Sequence, residues 1–424
     1  MSIEMPATPS QTPEEQERAR LQKRTVRVLT ASQVLGGVGV GSGVSVVGLL
    51  AYELSGTAAL SGVSATASTI GAAIAALVIA RLAVLRGRRP GLVTGYTVGA
   101  AGAALAIVAA VLGVFWLHVV SSMAFGWSNA SNLQARYAAT DLAPENARAR
   151  ALSTVVWATT IGAVLGPNLT GVGGQVATAL GLSQPLAGAY LFSLVSFTSA
   201  ALVQFIFLRP DPLMVVREAL NRSPIPPPIA QGWSGAVRLI QTIPQARTAV
   251  YGITAAHATM VGIMVMSPVH MENHGATLQL VGFVISAHIF GMWAFSPIVG
   301  WLADRYGRRT TLFAGLAQLA TSAVMAATLE PTGRVLFPVG MLLLGSGWSF
   351  CLISSSTMLT NAVETVDRPA VQGVSDLAMN LAGALGGTLA GIVLAIAGYP
   401  ILAFGTLLLL IAPTVSALRL RTTP

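Results

Sequence analysis

Charged residues punctuate this chain rarely, and the intervals between them are long and apolar. Residues 28–52, 54–80, 248–271, 273–303, 310–329 and 335–363 carry no Asp, Glu, Lys or Arg and run for 20 to 31 residues. A helix needs about 20 mostly apolar residues to cross hydrocarbon, so each interval predicts one span. Residues 90–135 and 151–208 are 46 and 58 long and predict two spans each, breaking near Gly113 and near Gly181–Pro185. A last pair is predicted between Ala370 and Leu418, breaking at Gly398–Tyr399–Pro400, with Asp376 inside its first member. Backbone polar groups must be satisfied within lipid. The intervals also lack the alternation that marks barrel strands, so the spans are helices. The pattern predicts an all-α membrane protein with twelve transmembrane helices.

Composition agrees. Hydrophobic residues make up 54% of the 424 and charged residues 9%, against about 25% charged in soluble domains, and the mean hydropathy is +0.71. These values exclude a soluble globule and a disordered chain. The net charge of +9 falls in short clusters between spans, the pattern of cytoplasmic loops rather than of nucleic-acid binding. With twelve crossings, 23 of the 24 Lys and Arg share the side of the termini and only Arg334 lies opposite. That split predicts a multi-pass protein of the cell membrane with both termini cytoplasmic. Residues 1–24 read as a disordered cytoplasmic tail, 25–208 and 248–418 as two six-helix halves, 209–247 as a central cytoplasmic loop around Pro226–Pro227–Pro228, and 419–424 as a short tail. In the loop, Trp233, Val237 and Ile240 recur at helical spacing. They fit a short helix on the membrane surface or a loop with scattered apolar residues. The single cysteine, Cys351, permits no internal disulfide and no cysteine metal site.

An internal repeat organises the halves. Gly87–Arg88–Arg89 recurs as Gly307–Arg308–Arg309 at an offset of 220, and Gly126–Trp127–Ser128 as Gly347–Trp348–Ser349 at 221. Gly162–Ala163 and Gly166 recur as Gly383–Ala384 and Gly387, again at 221. Six helices per unit is an even number, so the repeats are parallel, related by an axis along the membrane normal.

Gly300–Trp301–Leu302–Ala303–Asp304–Arg305–Tyr306–Gly307–Arg308–Arg309 resembles the signature loop of the major facilitator superfamily, between helices 8 and 9. The resemblance implies that fold over nearly the whole chain, alternating access, and a lock between helices at this loop. Asp304 is able to accept from Arg308 or Arg309 and to sit at the positive N-terminus of a neighbouring helix; Arg305, Gly307, Arg308 and Arg309 complete the expected gate. The first-half copy, Ala80 to Arg89, has Val84 in place of the acid. Asp376 is therefore expected to replace it, pairing with Arg81 or Arg86. An ionisable residue inside a span is otherwise read as a proton carrier or as one that reaches the headgroups. Gly162, Gly166, Pro167 and Gly171 in helix 5 resemble the antiporter motif of drug–proton exchangers, with Thr170 where a glycine is expected. Glycines four apart allow close packing, and the motif implies efflux. The arginine that such exporters carry within helix 4 is absent, its place taken by Ser122.

The same resemblance puts helices 1, 4, 7 and 10 around a central path. Candidate cavity residues are Gln33, Trp127, Asn129, Asn132, His257 and Trp348, with the repeat-equivalent Trp127 and Trp348 expected to face each other across the axis. Proton-coupling candidates are Asp376, His257, His288 and Glu53. His270 and His274 with Glu272 read as a wet surface cluster, and no metal or cofactor is expected. Nearly uncharged spans favour a neutral or amphipathic small-molecule substrate. There is no phosphate-binding loop, no H-E-x-x-H and no nucleophile–base motif, so no enzyme activity is expected. The readings weighed are an exporter, an importer of a sugar or other metabolite, and a non-transporting membrane sensor or membrane enzyme. Partners are membrane lipid, the solute and protons, with the chain a monomer and no nucleic acid bound.

Overall fold

A computed structural model describes residues 12–221 and 232–420. Its helices are α1 (Pro13–Ser55), α2 (Ala58–Arg86), α3 (Arg88–Leu112), α4 (Phe115–Ala138), α5 (Arg148–Ala179) and α6 (Ala187–Phe207), then two short connecting helices, α7 (Pro212–Asn221) and α8 (Gly232–Thr242). The second half comprises α9 (Pro244–Asn273), α10 (Leu278–Trp293), α11 (Ser296–Tyr306), α12 (Arg308–Thr328), α13 (Leu336–Ala362) and α14 (Arg368–Arg419). Gly398, at φ 81°, breaks α14 into two spans. Ten helices among the described residues are long and apolar enough to cross a membrane, one being the double-length α14. The twelfth crossing is α4, whose His118, Asn129, Asn132, Gln134 and Arg136 make it too polar to count by composition. The protein is an all-α membrane protein of twelve transmembrane helices in two parallel six-helix repeats. We call the side of both termini the terminal face.

Two expectations are corrected and two are refined. The tail is helical from Pro13 onward. Thr12 and Glu15 form a reciprocal capping box that starts α1 outside the span, while residues 1–11 lie outside the described residues. The interval 273–303 holds the one span expected of it, Gln279–Tyr306, but the span is broken into α10 and α11. Pro297, in the first turn of α11, has no N–H to offer the carbonyl of Trp293, so the ladder stops. Of the two readings of the central loop, the helical one holds for α8. Its buried Ala236 and Ile240 pack towards α9 and α14, with the Trp233 ring near Gly373. Pro226–Pro228 lie outside the described residues. Finally, Asp376 pairs with neither Arg81 nor Arg86, both exposed; its partner is Arg136.

Small residues set the helix spacing. Gly162 and Gly166 of α5 meet Gly37 and Gly41 of α1 so closely that a Cβ on either α5 glycine would overlap the α1 backbone. The halves meet through α2 with α14 and α5 with α11. At these seams Gly300 of α11 lies on Ser153 and Ala149, and Gly373 of α14 lies on Ala80. Ser153 and Gly373 are 220 residues apart, as are Ala80 and Gly300. Each seam keeps one glycine, but on opposite partners.

Candidate functional site

On the terminal face the halves are joined by charged and polar side chains. Helix α5 begins after Ala147, which supplies no side-chain cap, so its first N–H groups need an acceptor from elsewhere. Asp304 of α11 provides it, accepting from the N–H of Ala149 at 3.2 Å and of Arg150 at 2.9 Å. Its side chain is 5% exposed, whereas the Arg150 side chain, 3.4 Å away, is 56% exposed. A solvated arginine contributes little, so the cap and the positive end of α5 carry the interaction. Beside it, Arg308 donates to the Glu145 carbonyl at 2.6 Å and Arg148 to Asn361 Oδ1 at 2.5 Å.

A second cluster lies further in. Arg136, near the end of α4, donates to Asp376 Oδ1 of α14 at 2.5 Å and to Ser356 Oγ of α13 at 3.1 Å. Tyr137 Oη donates to the same carboxylate at 3.4 Å. Both charged side chains are at most 2% exposed. Arg88 of α3 is equally buried. It binds Asp141 through two bonds of 2.8 and 3.1 Å and reaches Gln372 Oε1 of α14 at 2.7 Å. Gln372 in turn donates to Thr360 at 3.1 Å. Removing one member of such a buried ion pair leaves a charge in low dielectric, at about 3–5 kcal/mol, so these links are strong only while the halves stay together.

Away from the terminal face the halves diverge. A cleft of about 850 Å3 separates α5 from α10 and the start of α13, with Val164, Pro167, Phe283, Phe290 and Leu342 on its walls. Gln33 of α1 donates to Asn132 of α4 and, at 2.9 Å, to Thr159 of α5, tying three helices of the first half. In the second half the Trp348 indole donates to His257 Nδ1 at 3.0 Å, and Trp293 stands edge-on to Trp348 with centroids 5.1 Å apart.

The expected residues therefore divide. Asp304 takes the helix-terminus place and not the one beside Arg308 or Arg309, since Arg309 turns to the Leu418 carbonyl at 3.3 Å. Gly307 makes the α11–α12 turn at φ 90°, and Arg305 is exposed. Gln33 and Asn132 come together, as do His257 and Trp348; Asn129 is half-buried. Trp127 is half-buried. It packs in its own half against the cluster of Ile79, Leu92 and Ala130. Gly162 and Gly166 pack on α1, Pro167 lines the cleft, and Gly171 meets nothing within 4 Å. Thr170 binds Ser45 at 2.9 Å. His288 is buried on the Met341 carbonyl, and Glu53 is exposed. His274 binds the His270 carbonyl, and His270 stacks on Tyr399. Reading the sequence missed Arg88, Asp141, Gln372, Arg148 and Asn361. The signal was present: Thr140–Asp141 and Arg148 recur as Thr360–Asn361 and Arg368 at an offset of 220.

The family described as Major Facilitator Superfamily matches residues 29–277 and 249–424. The chain is 38% identical over 402 residues to the uncharacterized MFS-type transporter YdeG of Bacillus subtilis (strain 168), covering 93% of this chain and 92% of that protein. It is 26% identical over 358 residues to the riboflavin transporter RfnT of Brucella anthropi, covering 84% and 85%. Its fold resembles the crystal structure of the human organic anion transporter MFSD10 (TETRAN), with a TM-score of 0.71 at 17% identity over 96% of this chain and 100% of that one.

Proposed function

Since this chain belongs to the major facilitator superfamily, a family of membrane transporters, we propose that it moves a small neutral or amphipathic organic solute across the cytoplasmic membrane by alternating access. The observation that carries this reading is the make-up of the seam: charged pairs join the halves on the terminal face, and towards the other face an apolar cleft lies between α5 and α10. Twenty-three of 24 Lys and Arg on the terminal side support placing that face in the cytoplasm. The arrangement is then the outward-open state, and Asp304 with the Arg136–Asp376 pair forms the inner gate. The solute reaches the Gln33–Asn132–Thr159 cluster of the first half and the His257–Trp348 pair of the second. Rocking moves these groups to the other side once the inner pairs part.

Export is the favoured direction, supported by the glycine–proline pattern of α5, whose Gly162 and Gly166 fix the spacing to α1. Asp376 is the candidate proton carrier, since opening the inner gate strips it of Arg136. Uptake is the second reading, favoured by the similarity to RfnT over most of both chains. Everted and right-side-out vesicles from cells expressing the protein, loaded in turn with labelled drugs, flavins and sugars, test both. Export requires accumulation in everted vesicles that stops when the proton gradient is collapsed. Accumulation confined to right-side-out vesicles overturns export. No movement of any solute in either orientation, from protein shown to be folded, overturns transport itself.

A further inference from the structure

Two adjoining cavities on the open face share two side chains. The larger is the cleft between the halves, apolar along Val164, Phe283, Phe290, Val339 and Leu342. The smaller, about 490 Å3, is lined by Gly275, Thr277, Gln279 and Thr332 among others. Phe283 and Arg334 line both. Arg334 is the one Lys or Arg on that side of the chain. It is exposed and forms no ion pair with any described residue. It stands two residues before Leu336, where α13 begins, at the level where a span leaves the hydrocarbon.

We propose that the joined cavities bind an anionic phospholipid of the surrounding leaflet, with acyl chain in the cleft, phosphate on Arg334 and headgroup in the smaller chamber. An apolar slot continuous with a polar one, with a cation at their junction, has the polarity sequence of a single amphiphile. A guanidinium binds phosphate oxygens through paired hydrogen bonds. The chamber also selects among lipids. The ammonium of a zwitterionic headgroup would face Arg334, and the nearby Glu330 carboxylate already accepts from the Thr332 hydroxyl at 3.1 Å, whereas a glycerol headgroup meets the hydroxyl of Thr277 and the amide of Gln279. A chain wedged between α5 and α10 can stay only while the halves are apart, so bound lipid favours the state open on this face.

The inference concerns binding and does not depend on the direction or substrate of transport. Its test is thermal unfolding of the purified full chain in detergent, with native mass spectrometry for bound lipid. Phosphatidylglycerol, phosphatidylcholine and glycerol 3-phosphate are added separately to wild type, R334Q and V339W. Phosphatidylglycerol is expected to raise the wild-type midpoint by several degrees and to remain bound, phosphatidylcholine to do less, and glycerol 3-phosphate nothing. R334Q should keep the lipid-free midpoint and lose the preference, and V339W should weaken both lipids by narrowing the cleft. Equal responses to the two lipids in wild type, or a preference surviving in R334Q, overturns the proposal. A glycerol 3-phosphate response matching that of phosphatidylglycerol would assign the site to a free anion, and overturns it as well.

Discussion

Arg136 and Asp376 illustrate what a single residue contributes here. Each is buried, and Arg136 also serves Ser356, Tyr137 and the Leu133 carbonyl, so the pair is the centre of a network. D376N leaves an uncompensated guanidinium in the seam, and R136Q leaves a carboxylate. Either change alone is expected to destabilise by roughly 3–5 kcal/mol, and the double variant R136Q/D376N by clearly less. Midpoints of thermal unfolding in detergent decide it, and strictly additive losses would contradict the pairing. The sequence marked Asp376 as unusual because a carboxylate rarely sits within a span. It could not supply the partner. Arg81 and Arg86 are suitable by position along the chain, but helix rotation turns them outward. Trp127 and Trp348 show that the repeat gives equivalent positions in sequence, not equivalent surroundings: Trp348 is buried and bonds His257, whereas Trp127 is half-buried against Ile79, Leu92 and Ala130.

Individual helices follow rules that were largely readable. Spans, their order and the glycine spacing of α5 all follow from composition at short range. The break between α10 and α11 was missed although Pro297 signalled it, because a charge-free interval contains no information about hydrogen-bond continuity. The glycine contacts allow a sharp contrast. G162A places a methyl into the α1 backbone, whereas G171A points into open space. G162A is therefore expected to lower the unfolding midpoint by several degrees and to reduce transport, and G171A to do neither. Equal effects would mean that α1 and α5 are not held by that contact. The second half solves the same packing problem differently. His257 stands 220 residues after Gly37, and its ring occupies the space beside Gly383. A backbone contact in one repeat has become a side-chain contact in the other, which gives the second half a hydrogen-bonding group where the first has none.

For the molecule as a whole, the balance between two tilts is set by modest terms. A helix cap contributes about 0.5–2 kcal/mol, so losing the one that Asp304 makes on α5 changes the ratio of states by several-fold or more without unfolding either half. Cys351 is buried and the chain has no other cysteine, so C351A provides a background for labelling. Val339, on the wall of the cleft, replaced by cysteine should react with an impermeant maleimide added to the open face. Adding D304A should slow that reaction as the population shifts towards the opposite tilt. An unchanged rate would show that Asp304 does not hold the seam shut.

Helix α1 runs for 43 residues, about 65 Å at 1.5 Å per residue, roughly twice the hydrocarbon thickness of about 30 Å. Its N-terminal end is strapped to the first half, with Arg18 held by the Leu142 carbonyl at 3.1 Å and Gln22 by the Ala139 carbonyl at 2.8 Å. Such an arm works as a pointer. A fluorophore on Glu14, paired with one near Leu420 on the other half, would magnify a small angular change in the membrane into a readable displacement in water, turning the transporter into its own goniometer.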